Sequence, residues 1–243
     1  MPKANQTQNH LIGTLGEKSL HAALKDWYAK PGDRFEENVD GFHIDIVHHD
    51  LLIEIQTANF SSLKRKLATL IERRRVRLVL PIALEKWIVR MGGDGITLLG
   101  RRKSPKRGLI YHLFEEMVSI PELIKEPNFS VEVLLIQKEE IRHDDGRGSW
   151  RRKGWSIVDH RLIEVVNRQV FNTPGDFLAL IPNGLPERFS TSDLAEGLGQ
   201  PRRLAQKMAY CLRNMGSIEV VGKKGNLLLY SVASFWSTIG MSQ

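Results

Sequence analysis

One cysteine, Cys211, is all the thiol this 243-residue chain carries, so no internal disulfide framework is available to it. The single thiol fits a reducing compartment. The first residues, MPKANQTQNHLIGTLGEK, contain no apolar h-region, so no secretory signal is expected. No apolar run reaches membrane-spanning length, which leaves a cytoplasmic, soluble protein with no membrane partner as the expectation. The chain also lacks an internal repeat. It has no recognisable phosphate-cradling glycine loop and no serine–histidine–acid arrangement.

What is present is an ordinary globular composition, 42% hydrophobic and 26% charged, with charge unevenly placed. Residues 1–59 carry five basic and nine acidic side chains, a net of −4. Residues 60–110 carry fourteen and three, a net of +11. The later stretches 111–171 and 172–243 are close to balance, at −2 and +2, for an overall +7. A strongly basic block that follows an acidic one points to a polyanion partner held beside an acidic site, although solvated basic helices are common.

The element pattern is α/β. Residues 13–30 read as a helix, with Thr14 and Glu17 able to form a capping box and Leu20, Ala23, Leu24 and Trp27 at helical spacing. RFEENV suggests a first strand. GFHIDIVHHDLLIEIQT, residues 41–57, reads as two strands joined at His49 and Asp50. Residues 59–75 read as a second helix with an apolar stripe through Phe60, Leu63, Leu67, Leu70 and Ile71. VRLVLPI reads as a buried parallel strand that ends at Pro81. EKWIVRM and GITLLGRR pair across GGDG, and RRKSPKRG is expected as a basic loop. LIYHLFEEMVSIPELIK reads as helix broken at Pro121, SVEVLLIQKEEI as a strand and residues 143–155 as a Gly-rich loop.

Composition shifts near FNTPGDFL, so two domains are expected, 1–171 and 172–243. In the second, TPGDFLALI, STSDLAEGL and residues 201–216 read as helices, and SIEVVGKKGNLLLYSV as two strands. Helix, turn, helix and hairpin together resemble a winged helix. That resemblance places Arg202, Arg203 and Lys207 near the start of a recognition helix and Lys223 and Lys224 at the wing tip.

Asp45 and Glu54 interrupt the runs of Ile, Leu and Val. In a two-residue hairpin they lie opposite one another, with Cβ atoms about 5 Å apart. Like charges so placed repel, and a cation would reverse the sign; hard oxygen donors suit Mg²⁺. Acids on the wet face of a hairpin are the commoner explanation of such a pattern. The histidines His43, His48 and His49 lie close by, but adjacent strand residues face opposite ways, so His48 and His49 are poorly placed to share an ion.

Residues 13–82 resemble the core of the PD-(D/E)XK phosphodiesterase superfamily: a helix, an antiparallel hairpin carrying Asp and Glu-x-Lys, a helix and a further strand. The resemblance implies a restriction-endonuclease-like mixed sheet flanked by helices, followed by the small winged helix. It makes Asp45, in HIDIV, the first metal-binding acid, with Asp40 as the alternative, and Glu54, in LIEIQ, the second. The carbonyl of Ile55 would complete the set for Mg²⁺ or Mn²⁺. Glu17 matches an acid that some members carry in the first helix. Gln56 departs from the pattern, standing where lysine is usual; it can orient water but cannot carry charge. Lys64 and Lys66 are the nearest lysines able to replace it.

The implied activity is that of a metal-dependent endonuclease on DNA, with RNA as the other substrate and a homodimer where both strands are cut. Lys64, Arg65, Lys66, Arg101, Arg102, Lys103, Lys106 and Arg107 would hold the backbone. The alternatives are a degenerate nuclease core serving as a DNA-binding regulator, which Gln56 favours, and an adaptor that binds protein through its winged helix. SWRRKGW pairs aromatics with basic groups, which suits stacking of single-stranded bases, although tryptophan packed over a loop is the commoner role.

Overall fold

The computed structural model of the chain describes residues 19–234. It is an α/β structure built on a mixed seven-stranded sheet flanked by helices. Helix α1 spans Ser19–Tyr28, and strands β1 (Arg34–Val39), β2 (Phe42–His48) and β3 (Leu51–Ile55) follow as an antiparallel meander. Asp40 and Gly41 both take positive φ, 52° and 85°, as a two-residue primed turn requires. The β2–β3 ladder pairs His48 with Leu51, Val47 with Leu52 and Ile46 with Ile53, the register expected for a turn at His49 and Asp50.

Helix α2 (Lys64–Ile71) is preceded by a 3₁₀ turn, Phe60–Leu63, and crosses over to β4 (Arg75–Met91), which runs parallel to β3. Both faces of the central strands are covered. Leu20, Leu24 and Tyr28 of α1 pack with Ile46, Ile53, Ile55 and Val79 on one side. Phe60, Leu67, Leu70 and Ile71 pack with Val47, Leu52, Val76 and Leu78 on the other. A strand buried on both faces reads as continuous apolar sequence, which is why Val76 to Ile82 does.

β4 does not end at Pro81, as the sequence suggested, but continues to Met91 through an irregularity between Ala83 and Glu85. The reason is local. Val79 turns its carbonyl to Gln56 N (2.9 Å), and the residue two further on faces the same way. The missing N–H of Pro81 therefore falls on the side where β3 has already stopped, and no ladder bond is lost. The distal part of β4 forms the expected hairpin with β5 (Leu98–Lys103), so Arg101, Arg102 and Lys103 lie on a strand rather than in a loop.

Beyond β5 come α3 (Leu113–Met117), a 3₁₀ segment Pro121–Lys125, and the long strands β6 (Phe129–His143) and β7 (Ser156–Phe171). β6 is parallel to β4, and β7 closes the edge antiparallel to β6. The C-terminal segment opens with the expected short helix, Pro174–Leu180, which is of the 3₁₀ type. It continues with α4 (Thr191–Leu198), α5 (Arg202–Met215) and the hairpin β8 (Ile218–Lys224) with β9 (Leu227–Val232). Ser190 caps α4: its Oγ accepts from Ser192 N (3.1 Å) and Asp193 N (3.3 Å), and Asp193 accepts from Ser190 N (2.7 Å). No helix among the described residues is long and apolar enough to cross a membrane.

Candidate active site

The β2–β3 ladder stops at Ile46 and Ile53, one step short of the two acids. Beyond it the backbone of β3 bonds to a side chain instead: Ile55 N donates to Asp45 Oδ2 at 2.7 Å. His21, on α1, brings its Nε2 to 3.2 Å from the same Asp45 oxygen and 3.1 Å from the Ile55 carbonyl oxygen. Two oxygens from two strands thus converge on His21 Nε2.

Glu54 comes to the same place from β3 and is buried. Its Oε2 makes no hydrogen bond among the described residues; Lys66 Nζ lies 2.6 Å away as an ion pair without hydrogen-bond angles. Lys66 reaches in from α2 and donates to the carbonyl of His43. Burial, and then the charge of Asp45, raise the Glu54 carboxyl above its ordinary range, although Lys66 and His21 pull the other way. Burial would raise Asp45 too, but bonds from His21 and Ile55 N, with the nearby charges of His21 and Lys25, hold it below the usual carboxylate range. Two neighbouring carboxyls are therefore driven apart in acidity, as in many sites that handle protons.

The other expected residues are distributed as follows. Asp40 sits in the β1–β2 turn and pairs with Arg74 at 3.5 Å, which leaves Asp45 as the acid beside Glu54. Gln56 donates its side-chain amide to Ala58 O, within its own loop. Lys64 is exposed and makes no ion pair among the described residues; Lys66, two positions on, is the lysine that meets Glu54. Arg65 is exposed. Glu17 lies outside the described residues.

Much of the basic surface is partly neutralised. Arg101 pairs with Glu139 (2.8 Å), and Lys103 and Arg107 share Glu85 (2.6 and 3.9 Å). Arg102 and Lys106 are exposed. In the C-terminal segment Arg202, Arg203, Lys223 and Lys224 are exposed, while half-buried Lys207 lies 3.9 Å from Glu115.

His21 is the residue that the sequence reading missed. Its signal was available: in the helix read from the sequence over residues 13–30 it stands four positions after Glu17. Among the described residues no group of three or more His, Cys, Asp or Glu side chains forms a metal site. Asp45 Oδ2 and the Ile55 carbonyl meet at His21 Nε2, and Glu54 lies near enough to feel the Asp45 charge; the oxygens among them are of the kind Mg²⁺ and Mn²⁺ accept.

Residues 18–172 match a sequence family described as "Domain of unknown function (DUF8091)". The chain belongs to this family. The DUF8091 match contains every residue of the acid site described above. The chain is also 33% identical over 221 residues to a protein of Treponema pallidum (strain Nichols) described as "Uncharacterized protein", covering 90% of this chain and 86% of that one. Those 221 residues outnumber the 171 that precede Asn172, so the likeness extends past the DUF8091 segment into the C-terminal one. No solved structure matches the chain.

Proposed function

We propose that the chain is a metal-dependent phosphodiesterase that cuts DNA. The observation that carries this reading is the convergence of Asp45 Oδ2 and the Ile55 carbonyl on His21 Nε2, with buried Glu54 and its Lys66 beside them. The order of elements supports it too. A helix, an antiparallel meander, a crossover helix and a strand parallel to the last of the meander match the core that the PD-(D/E)XK resemblance implies.

The residues suit a divalent cation. The donors are hard oxygens, and Glu54 Oε2 is a buried oxygen lacking a hydrogen bond among the described residues. Asp45, Glu54 and the Ile55 carbonyl would hold the ion. When bound, such an ion polarises a phosphoryl oxygen and makes a coordinated water more acidic. The chain's own residues do the rest. Lys66 offsets part of the negative charge that builds on the phosphate during attack. His21 fixes the Asp45 carboxylate and the Ile55 carbonyl in one orientation. The exposed cations on α2 and β5 bind the backbone without regard to sequence. α4, α5 and the β8–β9 hairpin, read as a winged helix, dock the protein on duplex through Arg202 and Arg203.

A second reading is a DNA-binding regulator on a nuclease-like core that no longer cuts. The side-chain bond of Gln56 to Ala58 O favours it, because the position where lysine is usual is committed to its own loop. Incubation with linear, circular, nicked and branched DNA and Mg²⁺ or Mn²⁺ separates the two. Cleavage that EDTA abolishes, and that Glu54→Ala reduces by about a thousandfold or more, supports the phosphodiesterase. Tight, salt-sensitive binding without cleavage of any substrate supports the regulator and sinks the first reading.

A further inference from the structure

We infer that the loop between β6 and β7 presents Trp150, backed by Arg151, as a stacking platform for unpaired nucleic-acid bases. This deepens the nucleic-acid reading above and rests on it.

Trp150 is 82% exposed. Large aromatic side chains are normally drawn toward a core, so a lone tryptophan held in solvent calls for a reason. The loop's other tryptophan shows the contrast. Trp155 is half-buried, lies under Arg90 (5.2 Å from guanidinium carbon to ring centre), and takes a hydrogen bond from Arg152 Nε on its carbonyl (3.1 Å). Trp155 packs the loop, and Trp150 does not.

The loop that carries Trp150 is built rather than slack. Gly148 N donates to Gly154 O at 2.7 Å, closing its neck. Lys153 N donates to Trp150 O at 2.9 Å in a single 3₁₀ turn, and Lys153 itself is left-handed at φ 53°. A Cβ on Gly148 would stand 1.9 Å from Trp155 O, so only glycine permits that closure. The turn aims the Trp150 ring outward, and Arg151 lies over it, 5.5 Å from the ring centre.

The surroundings select the partner. Residues 146–155 carry four basic side chains and no acidic one. Asp145, just before them, is occupied by Ser156 Oγ (2.6 Å) and Arg147 N (3.0 Å). An exposed π face among cations fits bases attached to phosphates, which offer rings and negative charge together; an acidic protein surface offers the charge without the ring, and an apolar one offers rings without the charge.

Placement agrees with this. β3 ends at Ile55, paired with Val79, while β4 runs twelve residues further to Met91, about 40 Å at the usual rise. β6 runs parallel to β4 over that length, and the Trp150 loop follows β6. The platform therefore stands at the far end of an arm that leaves the sheet from the end bearing Asp45 and Glu54. A strand anchored there can lie along the arm, past exposed Arg102, back to the acids.

The test is binding in EDTA, which removes cleavage from the measurement. Oligothymidylate should quench tryptophan emission. Trp150→Ala should weaken its binding about tenfold, Trp150→Phe should keep most of it, and the affinity for blunt duplex should not change. Because Trp150 is exposed, the variant should keep the wild-type circular dichroism. Equal affinity of Trp150→Ala and wild type for oligothymidylate would overturn the platform. So would an equal loss on duplex, or a loss of self-association with no effect on nucleic acid. Mg²⁺-dependent cleavage of duplex by the same wild-type protein reports on the acid pair alone. A failed platform and a failed phosphodiesterase are thus told apart.

Discussion

Glu54 illustrates how a buried carboxylate sits in a fold at some expense to stability. Burial and Asp45 push its pKa up, so the folded environment favours the protonated form. A group whose folded pKa lies above its unfolded one adds stability below the unfolded value and loses that contribution as pH rises through the folded value. Glu54→Gln removes this titration. The melting temperature of the variant relative to wild type should therefore climb as pH rises from about 4 to about 7. Thermal melts at several pH values check this, and a pH-independent difference would contradict it. Lys66 gives a second prediction. It is largely buried against Glu54, and it is the group whose close positive charge most opposes the upward shift. Lys66→Met should cost about 1–3 kcal/mol by denaturant titration, and with it the cleavage proposed above. Lys64→Met, on the exposed face, should stay within about 0.5 kcal/mol of wild type. Which lysine matters was not legible in the sequence. The two stand two positions apart on one helix, and only the seating of α2 on β2 and β3 decides between them.

At the scale of elements, what could be read was whatever kept a simple period. The β2–β3 register followed from alternation and a two-residue turn, and with it the approach of Asp45 to Glu54. α1, α2 and α5 followed from apolar spacing, and α4 from its Ser/Thr cap and the acids of its first turns. β7 gave no such signal. It pairs with β6 through three register irregularities, each of which shifts the alternation, and it leaves Ile157, Val158, Ile163 and Val166 exposed on an edge. β4 was read as two strands because Pro81 looks like a terminator until the end of β3 is known. The β7 edge also holds a buried charge group invisible to patterning. Glu132 is fully buried, with Arg168 Nε at 2.8 Å and Arg77 Nη1 at 3.5 Å. Burial, followed by the nearby Glu132 charge, pushes the Tyr28 hydroxyl of α1 upward in pKa, which ties that helix electrostatically to β6. Glu132→Ala leaves two guanidinium groups beside an apolar cavity. It should destabilise by about 3 kcal/mol, measured by urea unfolding. A change below 1 kcal/mol would show that the half-exposed Arg168 had simply turned to water.

At the scale of the molecule, the question is whether the C-terminal segment is a separate cooperative unit. One continuous apolar cluster includes Val131 and Val133 of the sheet, Phe114 and Met117 of α3, and Leu204, Met208 and Leu212 of α5. Phe177 is central to it, fully buried, with its ring centre 4.4 Å from that of Phe171 at the end of β7 and 6.1 Å from that of Phe114. Ser217 Oγ also bonds to Pro174 O at 2.8 Å, which joins the start of β8 to the segment leaving the sheet. A unit that shares its core with the sheet cannot expose that core without cost, so calorimetry should give one unfolding transition rather than two. Phe177→Ala should cost about 3–5 kcal/mol and lower that single transition as a whole. If instead a low-temperature transition split off while the sheet melted at its original temperature, the C-terminal helices would be an independent domain resting on the sheet. Any docking by Arg202 and Arg203 would then be only loosely coupled to the acids of β2 and β3.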